Sequence, residues 1–565
     1  MNVSETTLDV DLPAMTPGSV RLVACGGLGE IGRNMMALKY NDEALIIDCG
    51  VLFPSQDAPG VDLVLPDFSL LDKIGARPKY LVLTHGHEDH IGAIPYLMRT
   101  FPDLTLVGSR LTLALAAAKV KQHGLNPDTI QVTDGERIEL GSFSVGFLAV
   151  AHSVPDGMAV SIRVGGLHLI HTGDFKLDSR TLDGRNTDLA GFAREAAAGV
   201  DLLMSDSTNA DVNALLPGER DITDALNSIF YKAKGRVIFA CFASNVHRVQ
   251  QAIDASVRTN RQFAFIGRSM IRNMAIAHDL GYLRIPADSQ VDFNTAINSN
   301  REDVALICTG SQGEPFSALS RMARDEHPIK LHTGDLVILS ARLIPGNEED
   351  VFRVVNEFSR TGVEVVTGES ATIHASGHAS SIELSHLLGL TRPRRLLPVH
   401  GEWRHLRAHA RIAYDVEMSE DQVILMGNGE VLDLAGDKAA IAGTLPFSNI
   451  YVDGGTVGLV DESTLRERRR LAESGVVSVA LILDDQSDEL LVPPVVTVRG
   501  VPVHPFDSER TSEVANRAVA QWVESETEDL PALERTARRA LERWISEAYS
   551  VRPVVLVSVV RSPKR

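Results

Sequence analysis

The chain has 565 residues, 44% of them hydrophobic and 23% charged, with a formal net charge of −19. That length supports roughly two to four domains with cores of their own. The acidity excludes a protein that coats nucleic acid over its whole surface, though not an enzyme with a local basic channel.

No apolar run is long enough to span a bilayer, and the opening MNVSETTLDVDLPAMTPGS lacks a basic region followed by an apolar one. The expectation is a cytoplasmic protein without membrane association, with residues 1–19 as a short disordered lead. Cys25, Cys49, Cys241 and Cys308 are scattered without a CxxC pair and read as buried small hydrophobes, not as a disulfide or thiolate framework.

Val20 to Cys25 is an apolar strand followed by GGLGEIGRN, Gly26 to Asn34. This run matches neither GxGxxG nor a Walker loop, so a tight turn at the edge of a site is preferred to a nucleotide cradle. MMALKY and EALIID form two strands around a turn at Asn41-Asp42, and Asp48 closes the second. A carboxylate there can orient a ligand imidazole or simply cap the turn. Gly60 and Asp62 in GVDL, with Asp453 in the distant YVDGG, supply a carbonyl and carboxylates of the kind a structural Ca2+ accepts; turn capping is the competing reading.

The chain is organised around YLVLTHGHEDHIGAIPYL, Tyr80 to Leu97. A β-prone run stops at Thr84, and His85, His87, Asp89 and His90 follow at once before a helical segment. Imidazoles at i and i+2 of an extended turn can converge on one cation, and the Asp/His pair just beyond faces a second. Neutral imidazole and carboxylate suit zinc and similar divalent ions, and Gly86 lets the backbone bend.

A helix is expected over Leu111 to His123, then strand character over Ile138 to Val150, the alternation of an α/β fold. His152, Asp174 and Asp206 each stand at or just after a strand end, which is how a sheet edge assembles a site from distant residues. From about Asn213 the texture changes to repeated strand–turn–helix units, among them GRVIFACFASNVHRVQ and DVALICTGSQGEP. His374, His378 and His400 then return at strand–helix turns, so the middle block reads as an insertion into the first fold. Beyond a polar connector come two β-prone runs, two amphipathic helices and a last strand, a small α/β domain.

Together these residues resemble the metallo-β-lactamase superfamily and, within it, the β-CASP nucleases. Asp48 fits the opening acidic motif, HGHEDH the signature, His152 the third motif and Asp174 the fourth, while Asp206, HASGHAS and PVHGEW fit the insertion pattern. With FASNVHRVQ, GSQGEP and a C-terminal domain, the likeness narrows to the ribonuclease J family and runs from Arg21 to the C-terminus, loosening after PVHGEW.

The resemblance implies an αβ/βα metallo-β-lactamase sandwich (20–214 and 377–448), an inserted β-CASP domain (215–376), a linker (449–470) and a C-terminal α/β domain for oligomerisation (471–565). It implies two Zn2+ per subunit, with Mn2+ or Mg2+ as substitutes. His85, His87 and His152 would hold one ion, Asp89, His90 and His400 the other, with Asp174 bridging. Asp89, Asp174, Asp206 and His378 would carry catalysis, and Asp48 would support a ligand. Ser244, Asn245, Val246, His374, Ala375, Ser376, Gly377 and His378 would form the pocket for a 5′-monophosphate. Arg248, Arg268 and Arg272 would line the RNA path or simply be a solvated helix face.

The implied activity is 5′-to-3′ exonucleolytic and endonucleolytic cutting in mRNA decay and rRNA maturation. A homodimer or homotetramer with RNA-degradation partners is implied as well. A DNA-directed nuclease of the same family and a non-catalytic RNA-binding scaffold are the alternatives.

Overall fold

Parallel strands covered on both faces read as continuous apolar runs, and antiparallel strands with one wet face alternate. Both patterns occur in the computed structural model, which describes residues 12–54, 57–314, 316–343, 347–485, 487–503, 505–525 and 529–562. The expected disordered lead lies outside the described residues as far as residue 11. The chain divides into two compact units. One comprises the N-terminal part to Phe53 and Leu63–Ile450, and the other Pro54–Asp62 with the chain from Tyr451 onward.

The first unit contains two sheets that share one core. An eight-stranded sheet runs in the order Lys438–Thr444, Glu430–Ala435, Val20–Gly26, Met35–Tyr40, Glu43–Ile47, Pro78–Val82, Thr105–Gly108, Asp128–Gln131. A six-stranded sheet runs Leu396–Val399, Leu202–Asp206, Leu167–His171, Met158–Val164, Phe143–Ala149, Arg137–Leu140. Leu22, Leu38, Leu45 and Val82 of the first pack with Phe147, Val160, Leu169 and Met204 of the second, all essentially without solvent contact. Burial of each such side chain contributes about 1.5–3 kcal/mol. Helices Leu189–Ala197, Ser381–Thr391 and Trp403–Asp415 cover the outer face of the six-stranded sheet. The stretch read as one β-prone run over Ile138 to Val150 is a hairpin, Phe143 pairing with Leu140 across Gly141-Ser142.

Register lines up the ends that matter. Ala149 pairs with Met158, Val160 with His171, His171 with Met204, and Asp206 with Val399. The strand end at Asp206 and the loops carrying His152, Asp174 and His400 therefore lie along one edge of the sheet.

The inserted block folds around a five-stranded all-parallel sheet, in the order Gln262–Ile266, Val304–Cys308, Val237–Ala240, Leu336–Leu339, Glu364–Val366. VIFA, VALIC and LVIL are buried throughout, as two covered faces require. The chain then rejoins the first fold when Leu396–Val399 pairs in parallel with Leu202–Asp206.

In the second unit, Val476–Asp484 pairs antiparallel with Val495–Arg499 and parallel with Val554–Ser562. Helices Ser508–Glu524 and Leu530–Tyr549 cover one face through Trp522, Leu533, Leu541 and Ile545. The expected linker differs from a bare connector: it carries the helix Glu462–Ser474, capped by Asp461, whose carboxylate accepts Thr464 N–H at 2.7 Å.

The reading of Gly60, Asp62 and Asp453 as a calcium site is corrected here. Arg468 on that helix donates to Asp453 Oδ2 at 2.6 Å and to Pro59 O at 3.0 Å, while Asp62 Oδ2 accepts Gly454 N–H at 2.7 Å. A guanidinium already supplies the positive charge, and the second carboxylate caps a turn.

Candidate metal centre and active site

The hub of the site is Asp174, 3% exposed. Its Oδ2 lies 3.3 Å from His90 Nε2, 3.5 Å from His85 Nε2, 3.6 Å from His400 Nε2 and 3.7 Å from His152 Nε2. Two groups share it: His85, His87 and His152 on one side, Asp89, His90 and His400 on the other, with ligand atoms in each group within 4.8 Å of one another. A third group joins Asp174 to Asp206 and His378.

Each imidazole is aimed by its other nitrogen. Asp48 Oδ2 accepts the His90 Nδ1–H at 2.8 Å, Gly377 O accepts the His152 Nδ1–H at 2.6 Å, and Thr208 Oγ1 holds His400 Nδ1 at 2.8 Å. Thr84 Oγ1 lies 3.1 Å from His85 Nδ1. All four therefore turn Nε2 inward, whereas His87, with Nε2 against Ser153 Oγ at 3.3 Å, turns Nδ1 inward. Such outer partners fix tautomer and ring orientation at metal sites. Asp48 also accepts the Thr84 N–H and hydroxyl, both at 2.8 Å, so one carboxylate contacts the His90 ring and caps the turn before His85.

The local backbone is bent to make this convergence. Asp48 and His400 have φ of +58° and +53°, a conformation uncommon for residues with a Cβ. At Gly50 a Cβ would fall 1.6 Å from Asp89 O, and at Gly377 a Cβ would fall 2.5 Å from the His152 ring. Neither position admits a side chain without moving a candidate ligand.

Electrostatics separates the two sides. Burial, reinforced by neighbouring rings, holds His85 and His152 well below the usual imidazole range, and burial takes His87 to about 4. Burial also opposes charge at His400, but Asp174 and Asp89 outweigh it and raise the ring to about 9. Burial pushes the carboxyls of Asp89 and Asp174 upward, and the surrounding imidazoles more than reverse that, leaving both well below the ordinary value.

This donor set fits divalent cations. His87 Nδ1 is faced at 3.1 Å by His85 Nε2 and at 3.0 Å by His152 Nε2, and one ring nitrogen cannot form good hydrogen bonds with both. Three neutral imidazoles and a shared carboxylate converging in this way are ligands for a borderline metal ion.

The sequence reading missed Thr208, which contacts His400 and whose N–H and hydroxyl both reach Asp206 Oδ1 at 2.9 Å. Its position two residues after a strand-end Asp is the signal of such a turn. Asn209 was also missed: fully buried, it donates to Ser376 Oγ at 2.7 Å and to His378 O at 3.0 Å. His378 donates Nδ1–H to Asp206 Oδ2 at 2.8 Å; burial lowers its affinity for a proton, yet Asp206 and Asp174 shift it upward on balance.

Of the expected phosphate pocket, Ala375, Gly377, Asn245 and Val246 are buried and Ser244, His374, Ser376 and His378 half-buried. Asn245 Oδ1 caps its helix by accepting Arg248 N–H at 3.0 Å. His374 Nδ1 is buried without a hydrogen-bond partner, and burial, with Arg248 nearby, lowers this ring to about 3. Arg268 is exposed and Arg272 half-buried, its Nε donating to Asn273 Oδ1 at 3.1 Å. Arg248 is neither an RNA-facing side chain nor a solvated one: it is completely buried and pairs with Glu219 at 3.0 Å.

Comparison with known proteins gives the architecture a family. Residues 28–212 match the metallo-β-lactamase superfamily, 234–358 the ribonuclease J β-CASP domain, 362–421 the Zn-dependent metallo-hydrolase RNA specificity domain, and 463–562 the ribonuclease J C-terminal domain. The chain is 44% identical over 557 residues to ribonuclease J of Mycobacterium tuberculosis, covering 98% of this chain and 100% of the relative. Identity to ribonuclease J of Corynebacterium glutamicum is 44% over 570 residues, covering 99% and 78%. Identity to ribonuclease J 1 of Streptococcus pyogenes is 38% over 490 residues, covering 86% and 87%. A crystal structure of a protein of unknown function from Enterococcus faecalis shares the fold, with a TM-score of 0.51 at 16% identity, covering 74% of this chain and 100% of that one. The chain belongs to the ribonuclease J family and is a metal-dependent hydrolytic nuclease.

Proposed function

We propose that the chain is a zinc-dependent ribonuclease that releases nucleotides 5′ to 3′ from RNA with a 5′-monophosphate and also cuts internally, in mRNA decay and rRNA maturation. The observation that carries this reading is the contact between the His374–His378 segment and the ligand cluster. Gly377 O fixes His152 from one side of the segment, and His378 engages Asp206 from its end. A terminal phosphate held by that segment would lie next to the hydrolytic centre.

His85, His87 and His152 form one proposed ion site, and Asp89, His90 and His400 the other, with Asp174 common to both. Divalent ions bound there acidify water and neutralise charge on a phosphodiester. The remaining work belongs to side chains. Asp206 accepts Nδ1–H of His378 and so fixes that ring and favours its doubly protonated form, whose Nε2–H can donate to a non-bridging or leaving oxygen. Thr208 and Asp48 keep His400 and His90 in one tautomer. Asn209 holds Ser376, whose hydroxyl, with the half-buried His374, Ser244 and the backbone of Ala375 and Gly377, supplies hydrogen bonds suited to a phosphate monoester.

A cytoplasmic homodimer or homotetramer working with an RNA-degradation assembly extends this proposal on the same resemblance. It is supported by the uncovered sheet face of the second unit, where Val495, Leu556 and Val560 are 53%, 49% and 57% exposed.

The test is degradation of matched RNAs with 5′-monophosphate, 5′-triphosphate and 5′-hydroxyl ends, alongside DNA. Mononucleotides are expected from the monophosphorylated RNA first, with loss of activity in a chelator and recovery on adding zinc. Equal cutting of the three RNA ends would reject the pocket, and preference for DNA would reject the substrate.

A further inference from the structure

Arg248 stands in the inserted block, on helix Val246–Arg258, yet its side chain is the largest that is fully buried among the described residues. Its guanidinium links three places far apart in sequence. Nη1 donates to Ile373 O and, at 3.1 Å, to Ser340 Oγ; Nη2 donates to Glu219 Oε2 at 3.0 Å. Ser340 Oγ donates to the same Ile373 O at 2.5 Å, so that carbonyl is held by two donors. The other oxygen of Glu219 faces Lys176 Nζ at 3.3 Å. Lys176 follows closely on Asp174, and its N–H donates to Ala151 O at 2.9 Å, the residue before His152.

A line of buried charge thus runs from the insert to the strand ends that carry the candidate ligands. At its far end it grips Ile373, the residue immediately before His374. The segment beginning there supplies Gly377 O to His152 and His378 to Asp206. A buried guanidinium persists only where its charge is paired. Here Glu219 supplies the pair and both terminal nitrogens are used, while Nε is buried without a hydrogen-bond partner among the described residues. The planar fork can hold a carbonyl and a carboxylate in one fixed geometry, which a single ammonium cannot reproduce.

We propose that Arg248, seated by Glu219, is a positioning residue: it fixes Ile373 O and thereby sets where the His374–His378 segment stands relative to the ligand cluster. It touches no RNA. The inference rests on the roles assigned above to His378 and the phosphate pocket.

The test uses the full chain as wild type, as Arg248→Lys, and as the paired variant Arg248→Met with Glu219→Met, which removes both buried charges together. Metal content per chain, thermal melting, and kcat and KM on 5′-monophosphorylated and 5′-hydroxyl RNA are measured. Both variants are expected to melt cooperatively with wild-type metal content. Their kcat should be about 100-fold lower, the scale of an angstrom-level misplacement, with the preference for a 5′-monophosphate shrinking toward unity. Wild-type kcat at wild-type metal content overturns the inference. So does a loss of metal in step with kcat, which would make Arg248 a general support of the fold. If the paired variant does not fold, Arg248→Lys alone decides. If wild type cuts all RNA ends equally, the pocket reading fails, while the kcat comparison still judges Arg248.

Discussion

The ligand cluster and the His374–His378 segment touch through a 2.6 Å hydrogen bond, yet they are built by opposite means. The candidate ligands stand at strand ends of both sheets, His85, His87, Asp89 and His90 beyond Pro78–Val82 of the eight-stranded sheet and His152, Asp174 and His400 beyond strands of the six-stranded one. Each ring is oriented by a partner such as Asp48, Thr84 or Thr208. The segment has no strand of its own. It is pinned at Ile373 by Arg248 from the insert, at Ser376 and His378 by Asn209, and at Gly377 by His152. Core packing makes the first region rigid; a few polar contacts from separate elements register the second against it. Metal binding and the placement of the segment can therefore be perturbed separately, or together at the seam where Gly377 meets His152.

The largest effect is expected from Asp174→Asn, which strikes the centre shared by both ligand groups. RNA hydrolysis should fall by about 1000-fold or more, with a drop in bound metal measured by elemental analysis. His378→Ala acts on the other region and should cost about 100-fold or more in kcat while metal content stays at the wild-type level. Metal loss in that variant would erase the distinction.

Gly377→Ala tests the seam. Its new methyl would meet the His152 ring at 2.5 Å, so a destabilisation of about 1–3 kcal/mol is expected in denaturant melts, together with weaker metal binding. Thr208→Val keeps the shape but removes the hydroxyl beside His400 Nδ1, and metal affinity measured by competition with a chelator should weaken about 10–100-fold.

The smallest effect is one of pH. Burial raises the carboxyl pKa of Glu219, but Arg248 and Lys176 outweigh it, and the net position is below the ordinary 4.5. A carboxylate depressed in the folded state stabilises the fold above its unfolded value, and that stabilisation fades as pH falls through the folded one. The gap in melting temperature between wild type and Glu219→Gln should therefore be widest above about pH 5 and narrow as pH falls below 4.5. A gap that does not change with pH would mean that Glu219 acts by shape alone.

The ligand cluster was legible because metal chemistry restricts residue type so narrowly: His85, His87, Asp89, His90, His152, Asp174 and His400 announce themselves by identity and by strand-end position. The layered fold was legible from runs such as VIFA and VALIC, which only two covered faces explain. Residues that act through ordinary polar contacts were not. Thr208 and Asn209 look like any turn residues, and Arg248 on a polar helix reads as solvated until the fold buries it. Asp453 misled for the same reason, because nothing local to YVDGG announces that Arg468 will come to rest against it. Long-range pairing, here across 125 residues between Arg248 and Ile373, is a property of topology and not of pattern.

The four cysteines carry one last consequence. All are buried and reduced, Cys25 and Cys49 in the first fold, Cys241 and Cys308 in the insert, where Cys241 N–H donates to Cys308 O at 3.1 Å. Burial also pushes every one of these thiols far from thiolate formation. The native surface is thus silent to alkylating reagents, so the rate at which each pair becomes labelled is a clock for the opening of its own region. Run with and without RNA, that clock reads whether substrate tightens the insert before it tightens the catalytic sheet.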